Sequence, residues 1–191
     1  YSGTWSNTID SSITGIQTFT FTPDPNQCSF TAQIEIEVYE LPQIVSIDGV
    51  DDILCFGDSA SIEVLASGTG FIGYQIDNST YSSSNQFNVP SGNYAFGVID
   101  ENGCTNIQNA VLTEPESILI EDTIQNVLCS NGTGWVDIDI NGGTGTYDVV
   151  WNDTIFSEDL SNIPSGLYEA IVTDDNGCQE NHISLVIETL S

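Results

Sequence analysis

Lysine and arginine are absent from this chain, and His182 is its one histidine, against 28 Asp and Glu side chains. The formal charge at pH 7 is −28. No salt bridge can form inside the chain except through His182 or the terminal amine, so the carboxylates must be solvated, hydrogen-bonded or matched by outside cations. Nucleic acid is excluded as a partner, because phosphate binding needs positive charge. Anionic membrane surfaces are excluded for the same reason. Every trypsin-type cleavage site is missing, which suits an exposed fibre. No apolar run is long enough to span a membrane, and no signal peptide is present, so the sequence reads as a mature or excised segment. No stretch carries a helical apolar stripe.

What the chain does carry is a repeat. Cys55 and Cys104 stand 49 residues apart, and so do Cys129 and Cys178. A shift of 74 residues superposes both pairs without a gap. Pro90-Ser91-Gly92 then meets Pro164-Ser165-Gly166, Tyr94 meets Tyr168, and Asn102-Gly103-Cys104 meets Asn176-Gly177-Cys178. On this alignment Asp77 falls at the position of Trp151. The opening residues match only the second half of the unit, through "TGIQTFTFTPDPNQC". The chain therefore divides into half a module over 1–42 and whole modules over 43–116 and 117–191. Modules of about 75 residues have marginal cores.

Alternation in "WVDIDI" puts Val136, Ile138 and Ile140 on one face and Asp137 and Asp139 on the other, and "QIEIEV" repeats it with Ile34, Ile36 and Val38. That period marks half-buried strands. Short strands between Asn-Gly, Ser-Gly and Gly-Gly turns indicate an all-β sandwich or barrel. The order Cys129, Trp151, Cys178 fits an immunoglobulin-like sandwich, with Tyr94 and Tyr168 placed for either a tyrosine corner or simple packing. The linkers at Leu41-Pro42 and Glu114-Pro115 lack a Gly/Ser tether, so the modules are expected in a stiff rod.

Evenly repeated cysteines in small β-modules read as disulfides of an oxidising compartment, since no Cys-x-x-Cys occurs and one histidine cannot complete a zinc set. The equal spacings predict the bridges Cys55–Cys104 and Cys129–Cys178, with Cys28 unpaired in this chain.

Several motifs have two readings. Gly68, Gly70 and Gly73 have dinucleotide-binding spacing, but strand-like sequence follows them, and a turn is the simpler account. His182 could serve a Ser–His–Asp set or lie on an edge strand. Carboxylate pairs for glycoside hydrolysis would arise by chance in so acidic a chain. Asp48, Asp51 and Asp52 form a candidate calcium set. The Asp100–Gly103 and Asp174–Gly177 runs suit either calcium or a hairpin turn in which Asp caps amides and Asn-Gly takes positive φ. Asn78, Asn131 and Asn152 begin Asn-x-Ser/Thr triplets.

The succession Leu-Cys, Gly-rich turn, Pro-Ser-Gly-x-Tyr and Val-x-Asp-x-Asn-Gly-Cys resembles the SprB-type repeats of the very large surface adhesins of gliding Bacteroidota. The opening "GTWSNTIDSSITGIQTFTFTPDPNQC" resembles another repeat of the same kind of protein. The resemblance implies tandem immunoglobulin-like sandwiches, the first incomplete, secreted to the cell surface by a type IX route. It implies a non-enzymatic stalk or filament whose partners are other copies or further modules, with glycans as a possible ligand class and no membrane insertion. Ser59, Thr123 and Thr154 lie in Asp-Ser/Thr-aliphatic triplets that resemble the O-glycosylation acceptors of that phylum. Two other functions fit the same residues: a calcium-assisted carbohydrate-binding adhesin module, and an accessory β-domain of a secreted hydrolase. The half-module is expected to be completed either by strands that precede Tyr1 in a longer chain or, in the filament reading, by strands of another subunit.

Overall fold

A computed structural model describes residues 2–50, 53–129 and 132–189. Every regular element among them is a β-strand. Two compact units are present. One comprises Tyr1–Asp48, Glu63–Phe87 and Tyr94–Ala110, the other Gly49–Ile62, Asn88–Asn93 and Val111–Ser191.

The first three strands are β1 (Gly3–Trp5), β2 (Gly15–Pro23) and β3 (Ala32–Val38), in an antiparallel sheet of order β1-β2-β3. Trp5 lies opposite Phe21, Phe19 opposite Ile34, and Gln17 opposite Ile36, so these side chains share one face. The other face carries Thr18, Thr20, Glu35 and Glu37, as alternation in the sequence requires. The Gln17 amide donates to Asp10 O at 2.6 Å and Ile13 O at 2.7 Å, which ties the β1–β2 loop to the apolar face.

Next come β4 (Gln43–Asp48), β5 (Ser59–Ser67), β6 (Gly73–Ile76), β7 (Gln86–Pro90), β8 (Gly92–Ile99) and β9 (Thr105–Leu112). They form sheets of order β4-β5-β7 and β6-β8-β9. Phe87 of one meets Phe96 of the other with ring centroids 5.6 Å apart, so the sheets face each other. Phe96 and Val98 are wholly buried.

The last seven strands are β10 (Leu119–Gln125), β11 (Gly134–Asn141), β12 (Tyr147–Trp151), β13 (Ile155–Phe156), β14 (Leu160–Ile163), β15 (Gly166–Asp174) and β16 (Gln179–Val186). The sheets are β10-β11-β14 and β13-β12-β15-β16. Val136, Ile138 and Leu160 from the first pack with Val149, Trp151, Ala170 and Val172 from the second in one core. Val127 N donates to Ile187 O at 2.9 Å and Thr189 N to Val127 O at 2.8 Å, a parallel bridge that joins the two ends of this sandwich. Three strands against four, with β12 and β14 crossing between sheets, is the immunoglobulin-like arrangement. The preceding six strands repeat it without a partner to β13 as a separate strand.

The two sandwiches exchange volume across one strand pair. Ile76 lies opposite Phe96, and Trp151 lies opposite Ala170. The large side chain sits on β8 in one and on β12 in the other, which conserves the space filled. Asp77 is therefore not the counterpart of Trp151, as the gapless alignment predicted; Ile76 is. Asp77 corresponds to Asn152. Asp77 N donates to Ala95 O and Asn152 N to Glu169 O, both at 2.9 Å. Ala95 N and Glu169 N donate back to the Asp77 and Asn152 side-chain oxygens at 2.8 and 2.9 Å. Each pair of turn residues has positive φ (Asp77 47° and Asn78 59°; Asn152 44° and Asp153 61°). Turn chemistry sets the register here and shifts it by one residue.

Tyr168 is buried, and its hydroxyl donates to Pro164 O at 2.9 Å, four residues upstream. That is a tyrosine corner. Burial pushes its hydroxyl pKa up. Tyr168→Phe leaves the carbonyl without its donor and is expected to cost about 1–2 kcal/mol, read from the urea midpoint of tryptophan fluorescence.

Candidate functional site

The predicted bridges Cys55–Cys104 and Cys129–Cys178 are not formed. Cys55 is joined to Cys178, with S–S 2.01 Å and Cα atoms 5.5 Å apart. Cys28 and Cys129 are free and exposed, and Cys104 is free and half-buried. Equal spacing selects a pairing only if each repeat closes on itself, and four cysteines allow three connectivities. The physical cause of the observed one is local. The turn before Cys178 sits against the segment before Cys55, where Asn176 Nδ2 donates to Leu54 O at 3.1 Å. Nearby, Glu114 holds both Gly57 N and Ser91 Oγ at 2.7 Å, and these bonds lower its carboxyl pKa.

The Asp-x-Asn-Gly runs are capped turns. Asp174 is buried, and its Oδ1 accepts from Asn176 N and Cys178 N, both at 2.9 Å, while Oδ2 accepts from Thr144 N at 2.8 Å. Asp100 Oδ1 accepts from Asn102 N at 2.9 Å and Cys104 N at 3.0 Å. Positive φ falls on Gly103 and Gly177, and not on the preceding Asn residues as the turn formula suggested. These carboxylates satisfy amides that would otherwise be orphaned at the sheet end.

His182 lies on β16, at the end of the sheet order, with its Nε2 3.0 Å from Asp122 Oδ2 of β10. Ser184 Oγ donates to the same oxygen at 2.6 Å. The aspartate thus stands between Ser and His, which is the wrong order for a histidine base acting on serine. Sequence separation hid this cluster, and only the β10–β16 neighbourhood creates it. Burial pushes the Asp122 carboxyl up, but the bonds from Ser184 and His182 and the imidazole's charge outweigh it and hold the pKa below its ordinary value. A depressed folded-state pKa stabilises the fold above the unfolded value, and this contribution fades as pH falls through the folded one. Asp122→Asn is therefore expected to lower the urea midpoint at pH 7 and to lower it less at pH 3. Elsewhere the missing cations show directly: the charge of Asp159 beside Asp137, with burial next, pushes the Asp137 carboxyl up.

Of the proposed calcium set, Asp48 ends β4 and accepts from Ser46 Oγ at 3.0 Å, whereas Asp51 and Asp52 lie outside the described residues. Among the described residues no group of three or more His, Cys, Asp or Glu side chains is arranged to hold a metal. Gly70 has φ of 68° in the turn between β5 and β6, and strand β6 follows it, with no helix to receive a pyrophosphate. Ser59, Thr123 and Thr154 are all exposed. Among the described residues no helix is long and apolar enough to cross a membrane.

The β1-β2-β3 sheet keeps an apolar face that is only partly covered. Phe19 on its apolar face is 4% exposed, but Trp5 and Ile34 beside it remain 49% and 44% exposed. Among the described residues β3 has a neighbour on one side only. Such a face needs a second layer, and such an edge invites a strand.

No protein-family model matches the chain, and no curated protein matches it. Among solved structures it is similar to the N-terminal eight Ig domains of Down Syndrome Cell Adhesion Molecule (DSCAM), at 15% identity and a TM-score of 0.42, over 96% of this chain and 29% of that one. It is also similar to the N-terminal four Ig domains of Dscam1 isoform 7.44, at 10% identity and a TM-score of 0.35, over 90% of this chain and 54% of that one. The chain thus spans well under two thirds of the length of the structures it matches.

Proposed function

We propose that this chain is part of a non-enzymatic, extracellular structural protein: a surface stalk or filament of immunoglobulin-like modules in series, divided at 1–42, 43–116 and 117–191. The observation that carries the reading is the open β1-β2-β3 sheet, which has an apolar face and a bare edge. A strand from another subunit completes it, and because the donor and acceptor surfaces differ, the contact propagates head to tail. The Cys55–Cys178 bridge supports an oxidising, extracellular setting. The resemblance to surface adhesin repeats and the absence of every trypsin-type site point the same way. The exposed hydroxyls of Ser59, Thr123 and Thr154 leave room for O-linked sugar.

Sedimentation velocity tests association. In salt high enough to screen the net charge of −28, the sedimentation coefficient should rise steadily with concentration. Ile34→Glu on the open face should hold the chain monomeric. A wild-type chain that stays monomeric at every concentration and salt would contradict the reading.

A further inference from the structure

The two complete sandwiches differ at one sheet edge. In the second module Tyr74 of β6 exchanges both backbone bonds with Ser82, at 2.7 and 2.9 Å, so the chain leaving the Asp77–Asn78 turn covers the β6 edge. Through the equivalence of Asp77 with Asn152, the matching pair in the third module is Val149 and Ser157. That exchange is only half made: the Val150–Phe156 pairing sets Ser157 N against Val149 O, and no bond returns from Val149 N to Ser157 O. β13 joins β12 at Val150 and Trp151 only. The carbonyls of Ser157 and Glu158 turn instead to Trp151 Nε1, each at 3.1 Å.

The cause is chemical. Trp151 is wholly buried, and a buried indole N–H needs an acceptor. It takes the carbonyls of the segment that would otherwise extend the ladder. Ile76 has no polar atom to satisfy, so in the second module the ladder runs on. The consequence is a groove of about 840 Å³ along β12, lined among others by Tyr147, Asp148, Val149, Val150, Phe156 and Glu158. Tyr147, Asp148 and Val149 are paired to β15 on their other side, which holds the strand straight. Phe156 is 79% exposed at the groove's end.

We propose that this edge receives an added β-strand from a basic partner protein, an extended segment with Lys or Arg at alternate positions and apolar residues between them. The end of β12 that β13 leaves open, at Tyr147 and Val149 N, supplies main-chain bonds at the spacing of a sheet. Successive side chains of an added strand alternate between faces, so every second one lies on the outer face with Asp148, Val150 and Phe156. Asp148 and Glu158 pair with cationic side chains there, and the open Phe156 ring favours a cation above it. The remaining side chains meet Tyr147 and Ile140 within the groove. A second copy of this chain does not fit this edge, because it has no Lys or Arg to set against Asp148 and Glu158. This edge is separate from the β1-β2-β3 sheet, and the inference does not rest on subunit exchange there.

Amide hydrogen exchange on the whole chain tests it, with the blocked hexapeptide acetyl-Lys-Val-Lys-Val-Lys-Val-amide as probe. Saturating peptide should slow exchange at Val149 at least tenfold, less so as NaCl rises, and the Glu-for-Lys peptide should do nothing. The double variant Trp151→Ile with Ala170→Phe copies the second module and frees the Ser157 carbonyl to accept from Val149 N. It should weaken peptide binding at least tenfold while keeping a cooperative unfolding transition. Asp148→Lys alters only an exposed side chain and should weaken binding as much, which keeps the test decisive if the double variant does not fold. Protection spread over the acidic surface, or equal binding by both variants, would overturn the proposal. So would protection of these amides by a neutral oligosaccharide such as maltohexaose and not by the Lys peptide.

Discussion

Replacing Trp151 by alanine removes most of the stability of the β10–β16 sandwich. The side chain is wholly buried at the centre of the core built by β11, β12, β14 and β15. Removing so large a buried aromatic costs about 3–5 kcal/mol in lost transfer energy and cavity. The indole N–H also anchors the carbonyls of Ser157 and Glu158, which lose their donor together. A domain of this size has a total stability near the bottom of the range of about 5–15 kcal/mol, so most of it is consumed. Urea unfolding should show an early transition that the wild type lacks, followed by one retained from the second module. The transitions have to be fitted separately, since a chain of several cores is not two-state. Phe96→Ala should produce the mirror result, because Phe96 fills in the second module the space Trp151 fills in the third.

Removing the Cys55–Cys178 bridge has an effect of similar size by a different route. The bridge closes a sequence separation of 123 residues. In the chain-entropy account a loop that long stabilises by about 5 kcal/mol, acting through the unfolded chain. Cys55→Ser or Cys178→Ser should lower the melting temperature by about 10–20 °C. Cys104→Ser and Cys129→Ser should leave it nearly unchanged, because neither residue is bonded. Non-reducing mass mapping gives the direct reading. Since trypsin has no site, an acid-specific protease is required, and the peptide holding Cys55 should be recovered joined to that holding Cys178. Recovery of Cys55 with Cys104 would mean that each repeat closes on itself.

Strand placement was legible because the cores are simple. Val136 and Ile138 are buried while Asp137 and Asp139, each next in sequence, are exposed, as two-residue alternation demands. The Ser-Gly and Asn-Gly turns fell where the sequence put them, and Trp151 lies on the strand expected of an immunoglobulin-like sandwich. Four things escaped. The register slip at Asp77 was invisible because Asp-Asn and Asn-Asp both supply the positive φ the turn needs, so the alignment looked gapless. The disulfide depends on which turn lies against which loop, and spacing carries no such information. The Asp122, His182 and Ser184 cluster and the β12 groove both arise between residues distant in sequence. The second follows from one buried N–H choosing its acceptors.

The most direct test of the proposed assembly is the structure of the native polymer at a resolution that traces strands. The account predicts an additional strand hydrogen-bonded along β3, continuous with a different subunit, and a covered face over Trp5 and Ile34. A sheet β1-β2-β3 whose face and edge are filled by residues covalently joined to the same chain, or left bare in the polymer, would contradict it.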